Sequence, residues 1–330
     1  MNHAASKSSW SGRHVAITGG AGFIGSTLAA TLCEAGASVV VLDSFDPRGG
    51  ANEANLAEIE SAVRILRADV RDKGAIQELV GDADVLFNLA GQTSHQDSMT
   101  DPLADLDINT RAQVNILETC RESVPDIRIV YASTRQLYGK AQYLPVDEKH
   151  PVTPPDVNAI NKISGEHYHL LYNRIYGLKS SIARLTNVYG PRMRIRDARQ
   201  MFLGSWIGAA LSGREFEVWG GEQKRDLSFV GDTVSALIAI ALAEPGRIFN
   251  VGGSPPVSLL QLADLVVSSA GSGSYVKREM PAERKRIDIG DFYADDRLLQ
   301  ETTGWRNRTD IEAGLRATID FYRTRLSLYL

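Results

Sequence analysis

The residues best suited to chemistry begin with a glycine-rich turn, Thr18-Gly19-Gly20-Ala21-Gly22-Phe23-Ile24-Gly25. An apolar run, His14 to Ile17, precedes the turn and predicts a short buried strand, and Ser26 to Leu32 follows it and predicts a helix. Glycines at such a junction let backbone N–H groups approach a pyrophosphate, to which the helix N-terminus adds partial positive charge. Because glycines also mark ordinary turns, a purely structural turn is the alternative. The strand before and the helix after favour a nucleotide site.

An acidic residue in the right place supports this interpretation. Asp43 ends a second apolar run, Ser38 to Leu42, and stands about 20 residues beyond the turn. A carboxylate at that position holds a ribose hydroxyl in dinucleotide sites.

The elements that must position these residues alternate between strand and helix from the start of the chain. Such alternation implies right-handed crossovers and a parallel, doubly wound α/β sheet of the Rossmann type. Ligands of these sheets bind at the carboxyl ends of the strands. Asp43, Asp69, Ala90 and Ser133 all lie at the ends of predicted strands, so we expect them to share one cleft.

The second half of the chain differs from the first, because its predicted strands and helices are separated by more loops. We expect a nucleotide-binding domain over residues 13–185, to which residues 227–251 return. Residues 186–330 mainly form a smaller, interleaved lobe that closes over the nucleotide and binds substrate. Residues 1–12 are polar and are predicted to be disordered.

Composition excludes several classes of protein. The 330 residues carry a net charge of -4, which offers no basic field for nucleic acid. Cys33 and Cys120 lack metal-ligand spacing, so we predict reduced core thiols and no metal site. The N-terminus lacks the apolar segment of a signal peptide, and the longest apolar run, Val234 to Ala243, is too short to cross a bilayer. The prediction is a cytoplasmic protein without a membrane partner.

Several motifs together resemble the extended short-chain dehydrogenase/reductase family, in particular its NAD-dependent nucleotide-sugar epimerases and dehydratases of the UDP-glucose 4-epimerase type. In family order they are Thr18 to Gly25, Asp43, Asp69-Val70, Asn88 to Gly91, Ser133-Thr134 with Tyr138-Gly139, Lys162, Arg184 to Arg192, Arg225 to Asp232, and Gly304-Trp305. They span nearly the whole chain and are specific for fold and cofactor, and less so for substrate.

The resemblance implies a tightly held NAD, because an acid at Asp43 repels the 2′-phosphate of NADP. The implied cofactor residues are Gly19, Gly22, Phe23, Ile24 and Gly25 at the pyrophosphate, Asp43 at the adenosine ribose, Asp69 and Val70 at the adenine, Leu89, Ala90 and Gly91 at the nicotinamide, and Lys162 at the nicotinamide ribose. Asp69 has an alternative role as the cap of the following turn.

The resemblance also implies a nucleoside-diphosphate sugar as substrate. Thr134 falls on the catalytic Ser/Thr that hydrogen-bonds the reacting hydroxyl, and Asn187 and Arg225 on the residues that grip the diphosphate. Arg286 and Asp288 lie near the nucleoside end. Arg192 begins a basic cluster with Arg194, Arg196 and Arg199, which contacts phosphate or forms a solvated face.

The chain departs from the family at the catalytic base. The family places a tyrosine four residues before the lysine, and Asn158 stands there in this chain. An amide cannot act as a base near neutral pH. One hypothesis is that another base replaces it, the candidates being His95, Tyr143 and Lys162; for His95 a surface or capping role is the alternative. The second is a protein that binds NAD and a nucleotide sugar with little or no catalysis, and the third is a different NAD-dependent reaction.

Two further features bear on the reaction and the assembly. Arg135 and Gln136 stand where 4,6-dehydratases carry an acidic pair, which favours epimerisation by transient oxidation, usually at C4, over dehydration. Family homodimers pair two helices from each chain, which correspond here to the predicted helices Asp105 to Glu122 and Ala159 to Tyr176. We therefore expect a homodimer.

Overall fold

The computed structural model of the chain describes residues 7–46, 48–252 and 255–330. Its strands are β1 (His14–Thr18), β2 (Ser38–Asp43), β3 (Val63–Arg67), β4 (Val85–Asn88), β5 (Arg128–Thr134), β6 (Lys179–Leu185), β7 (Asn187–Tyr189), β8 (Glu215–Trp219), β9 (Lys224–Arg225), β10 (Leu227–Phe229), β11 (Ile248–Val251), β12 (Val257–Ser258) and β13 (Ser274–Arg278). Its α-helices are α1 (Lys7–Trp10), α2 (Phe23–Glu34), α3 (Lys73–Val80), α4 (His95–Thr100), α5 (Pro102–Leu106), α6 (Ala112–Ser123), α7 (Val157–Tyr176), α8 (Phe202–Leu211), α9 (Val230–Leu242), α10 (Leu259–Ala270), α11 (Ala282–Lys285), α12 (Arg297–Thr303), α13 (Ile311–Arg323) and α14 (Leu326–Tyr329).

A parallel sheet of seven strands forms the centre of the described chain, in the order β11-β6-β5-β4-β1-β2-β3. The strand order reverses between β1 and β4, so the carboxyl ends of these neighbours flank a crevice. The predicted doubly wound sheet of the Rossmann type is confirmed.

Side chains alternate between two cores because successive strand residues point to opposite faces of the sheet. On β1, Val15 and Ile17 pack into a core with α2 and α9, while Ala16 packs into a second core with α3 and α6. Both faces are covered, which explains why the strands read as nearly continuous apolar runs.

The smaller lobe has a core of its own, in which Trp206, Phe216, Leu262 and Tyr322 are buried. Its strands β8 and β13 pair in parallel apart from the main sheet. Of the segment predicted to return to the nucleotide domain, α9 packs on the main core and β11 pairs with β6. Strand β10 instead pairs with β7 in a separate two-stranded sheet.

Two local predictions are corrected. Disorder through residue 12 is wrong for Trp10, which is completely buried with its ring centroid 6.1 Å from that of Phe87; residues 1–6 lie outside the described ranges. The single helix expected over Asp105 to Glu122 is divided into α5, a π-helical turn at Asp107–Arg111, and α6. Across the part of the chain that the structure covers, no helix combines the length and apolarity needed to cross a membrane.

Candidate active site

A cavity of about 450 Å³ opens at the carboxyl edge of the main sheet. Its volume is typical of a site for a small molecule. The sequence-predicted residues that line it are Gly19, Gly22, Phe23, Ile24, Gly25, Asp43, Asp69, Val70, Leu89, Ala90, Gly91, His95, Thr134, Asn158, Lys162 and Asn187. The fold therefore gathers nearly all of the predicted cofactor and catalytic positions around one space.

The glycine-rich turn forms one wall of this cavity by close backbone packing. Gly19 has a φ of +72°, which side-chain-bearing residues rarely adopt, and a Cβ on it would lie 3.0 Å from the Ala90 backbone. A Cβ on Gly25 would lie 2.2 Å from the carbonyl oxygen of Gly19. These contacts hold the loop compact against the N-terminus of α2, as a pyrophosphate site requires.

Two carboxylates stand beside the glycine turn. Asp43 accepts hydrogen bonds from the Ala21 N–H at 3.0 Å and the Phe45 N–H at 2.9 Å. Burial raises the pKa of Asp43, and these backbone N–H groups act against that rise. Asp69 accepts from the Arg71 N–H and pairs with its guanidinium at 2.7 Å, which lowers the pKa of Asp69. Asp69 thus caps its turn and also lines the cavity.

A row of buried polar residues on α5, the π-turn and α6 faces the site. Asp105, Asn109 and Gln113 follow one another at intervals of four, and all three are completely buried. Gln113 accepts from the Asn88 amide at 2.6 Å, and the Asn109 amide donates to the Gln92 carbonyl at 3.0 Å. Sequence analysis missed this row, although the spacing of three polar residues in an apolar helix was visible.

Asn158, in the position of the family's tyrosine, belongs to the same network. Its Nδ2 donates to the Gln92 carbonyl at 2.7 Å and to Asp105 Oδ2 at 3.0 Å, and Asn161 donates to Asp105 Oδ1 at 2.8 Å. The side chain of Asn158 therefore uses its amide protons to hold the loop after β4 and a buried carboxylate.

Lys162 and Thr134 also line the cavity. Lys162 Nζ donates to the Ala132 carbonyl at 3.1 Å, and burial lowers its pKa to about 8. A Cβ on Gly91 would come within 2.8 Å of that Nζ, so a side chain there would displace the end of the lysine. Thr134 Oγ1 accepts from the Gln136 N–H at 3.2 Å and begins a short 3-10 turn.

His95 lies at the mouth of the cavity with a carboxylate that the sequence analysis did not predict. Its Nδ1 is 3.0 Å from Asp156 Oδ2, whose side chain is completely buried. Asp156 also caps α7 through the Ala159 N–H at 2.8 Å and accepts from Gln136 Nε2 at 3.2 Å. Burial favours a raised pKa for Asp156, but the contacts with His95, the Ala159 N–H and Gln136 together outweigh it and the pKa is lowered.

Tyr143, the other proposed base, lies elsewhere. Its ring is exposed, and its hydroxyl donates to Asp147 at 2.7 Å, which raises its pKa. A raised pKa makes the phenolate, the form that could accept a proton, less available.

The far end of the cavity contains donors without acceptors. Arg135 Nη2 donates to Asn187 Oδ1 at 3.0 Å. Within the described residues, Arg135 Nη1, Asn187 Nδ2 and Ser133 Oγ are buried and lack a hydrogen-bond partner. Burial lowers the pKa of Arg135 to about 9, with Arg225 acting in the same direction. Buried donors beside a cation fit an anionic ligand.

The remaining predicted substrate residues lie outside this cavity's lining. Arg225 is buried and pairs with Asp288 at 3.2 Å, and Asp288 borders a second cavity of about 550 Å³. Arg286 is exposed near that cavity. Arg192 pairs with Glu58 at 3.1 Å and also donates to the Ser26 carbonyl at 3.5 Å.

The main cavity fits a dinucleotide at one end, where the glycine turn and Asp43 meet, and an anionic substrate at the other. A sequence model of the NAD dependent epimerase/dehydratase family matches residues 15–252. The chain belongs to this family. Its members are NAD-dependent, and the residues predicted for the cofactor, among them the glycine turn, Asp43 and Lys162, line this one cavity.

Relatives within the family span more than one reaction. A putative UDP-glucose 4-epimerase of Methanocaldococcus jannaschii is 32% identical over 94% of this chain and 98% of that protein. The structure of the Thermus thermophilus UDP-glucose 4-epimerase in complex with NAD superposes with a TM-score of 0.85 at 27% identity, covering 94% of this chain and 99% of that one. A dTDP-glucose 4,6-dehydratase of Streptomyces niveus is 28% identical over 94% of this chain and 92% of that protein.

Proposed function

We propose that this protein is an epimerase of a nucleoside-diphosphate sugar. It oxidises one ring hydroxyl, at C4 in our scheme, and then reduces the resulting ketone from the opposite face. The observation that carries the proposal is the set of buried donors at Arg135, Asn187 and Ser133, which lies in the same cavity as the cofactor residues. A diphosphate supplies the acceptors that those donors lack.

Epimerisation is favoured over dehydration by the residues beside Thr134. Elimination of water needs an acid and a base there, and this chain offers the guanidinium of Arg135 and the amide of Gln136. The Gln136 amide donates to Asp156. Neither side chain can relay a proton near neutral pH.

The protein's own contribution is to position the cofactor and the sugar against each other and to exclude water from them. Bound NAD supplies reversible acceptance of a hydride. Thr134 is placed to hydrogen-bond the reacting hydroxyl, and Lys162 to hold the nicotinamide ribose. Asn158 cannot take the hydroxyl proton, because its amide donates to Gln92 and Asp105 and has no basic form.

The second candidate is a protein that binds NAD and a nucleotide sugar without converting it, and Asn158 is the observation that favours it. Incubation of the NAD-loaded protein with UDP-, dTDP-, GDP- and CDP-glucose, followed by proton NMR, separates the two. New anomeric signals support the epimerase. Saturable binding without new signals supports the second candidate, and Lys162→Met is the matched control for conversion.

A further inference from the structure

His95 and Asp156 form a pair that the cofactor and substrate contacts described above do not use. Asp156 accepts hydrogen bonds from the Ala159 N–H at the start of α7 and from the Gln136 side chain. His95 Nδ1 is buried and lies 3.0 Å from the Asp156 carboxylate without hydrogen-bond alignment, while the side chain as a whole keeps 34% of its exposure in the cavity. A buried carboxylate behind one ring nitrogen is the arrangement by which enzymes orient a histidine base.

The pair is also connected to the reacting position. Gln136 donates its side-chain amide to Asp156 and its backbone N–H to Thr134 Oγ1. His95, Thr134 and Asn158 all line the same cavity. The histidine therefore shares its cavity with Asn158, the position of the missing tyrosine.

The other titratable residues suit the role less well. Lys162 is held at the Ala132 carbonyl and is completely enclosed. Tyr143 lies outside the cavity with its hydroxyl on Asp147. Histidine is the side chain whose ordinary titration falls near neutral pH, where a base works best.

We propose that His95 is the base for the sugar hydroxyl and that Asp156 is its positioning residue. This inference rests on the proposed epimerase function. The hydroxyl O–H bond breaks and its proton goes to His95 Nε2, while the hydride of the same carbon goes to NAD and a ketone forms. The return step gives both back, so no further oxidant, reductant or proton source is required.

Three charged groups surround His95. Asp156 faces it from the start of α7, Asp97 lies two residues along its own helix, and Arg199 approaches Asp97 at 3.9 Å from the loop before α8. Of the three, Asp156 is the group in contact with the ring.

The experiment compares His95→Gln, Asp156→Asn and the control His14→Gln on the nucleotide sugar that the wild type converts. His14 is exposed at the opposite end of β1. We expect His95→Gln to lower kcat by about 100-fold or more with a small change in KM. Asp156→Asn keeps a cap for α7, and we expect it to lower kcat with little change in KM. His14→Gln should match the wild type.

One further measurement separates chemistry from folding. Added imidazole should restore part of the turnover of His95→Ala, which a structural role would not allow.

Each outcome decides the inference. Loss of turnover in His95→Gln together with imidazole rescue of His95→Ala supports it. A His95→Gln variant with wild-type kcat overturns it and leaves the epimerase proposal intact. A wild-type kcat in Asp156→Asn overturns the positioning role. If the wild type converts none of the four sugars, the epimerase proposal fails and this inference fails with it.

Discussion

Asn158 stands where the family resemblance implies a proton-accepting tyrosine, and the structure shows which contacts its amide makes. Asn158 is 2% exposed and gives its Nδ2 to the Gln92 carbonyl and to the carboxylate of Asp105. Asp105 is itself completely buried, so it depends on the amides of Asn158 and Asn161 for its hydrogen bonds. The position is therefore a structural anchor of the cavity wall.

Replacing this amide with a carboxylate should be costly in a pH-dependent way. Asn158→Asp places a second acid against buried Asp105, and two like charges in contact raise the pKa of the pair. A raised folded-state pKa means that stability falls as pH rises, so we expect a loss of about 2–4 kcal/mol at pH 8 and less at pH 5, measured by urea unfolding. In Asp105→Asn/Asn158→Asp only one acid remains, and much of the loss should be recovered; equal loss in the single and double variants would contradict the pairing.

Asp226 offers a second test at the residue scale. It is 2% exposed, and burial raises its pKa to about 6 from 3.8. Because the folded state binds this proton more tightly than the unfolded state, its contribution to stability declines as pH rises from about 4 to 6 and stays low above that range. We expect Asp226→Asn, whose amide oxygen can still accept from the Ala294 N–H, to gain about 1–3 kcal/mol at pH 8 and almost nothing at pH 4.

The matched control is Asp82→Asn at an exposed position, which should change little at either pH. Thermal unfolding of the two variants and the wild type at both pH values gives the comparison. An Asp226→Asn variant that is less stable at pH 8 would show that the carboxylate supports the fold through Arg135 and Arg225.

At the scale of the elements, the turn between β1 and α2 packs closely because its glycines carry no side chains. In Gly25→Ala the new Cβ would lie 2.2 Å from the Gly19 carbonyl oxygen, so the backbone must move. We expect NAD content after purification to fall about tenfold or more, measured by chromatography of the released nucleotide. Gly81→Ala is the control, since its Cβ would meet the Gln77 carbonyl oxygen at an ordinary 3.5 Å. Equal NAD content in both variants would contradict the role of the turn.

The same scale shows what the sequence could and could not predict. Strand ends and the glycine turn are local features, so Asp43 and Asp69 were predicted from the sequence pattern, whereas Lys162 was predicted from the family resemblance; all three line one cavity. The contact of Asp156 with His95 depends on tertiary packing, because it joins segments far apart in the chain. Arg192 was assigned by family position, but its side chain is drawn to Glu58 on another segment.

At the scale of the whole molecule, one face remains apolar. Helix α5 packs against α7. The large apolar side chains that these two helices expose are Leu103, Leu106, Ile160, Tyr168, Leu171, Ile175 and Tyr176. Exposed apolar patches of this kind mark contacts between proteins. We propose that this face joins two copies of the chain.

Negative charges introduced on this apolar face should dissociate the proposed dimer. Leu103 is 71% exposed and Leu171 38% exposed, so Leu103→Asp/Leu171→Asp should fold and yet halve the mass measured by light scattering. Leu242→Asp, at a residue that is 44% exposed at the end of α9, is the control and should leave the mass unchanged. A wild-type mass equal to that of one chain would reject the dimer.

The anchor at Asn158 also has a consequence for evolutionary history. A lineage that returned a tyrosine to this position would withdraw a hydrogen-bond donor from Asp105 and from the Gln92 carbonyl in one step. Such a variant would leave Asp105 Oδ2 without the donor that Asn158 supplies, and a change at Asp105 made first would remove an acceptor from both Asn158 and Asn161. The two positions are therefore energetically coupled, so that the cost of reverting one of them depends on the residue at the other.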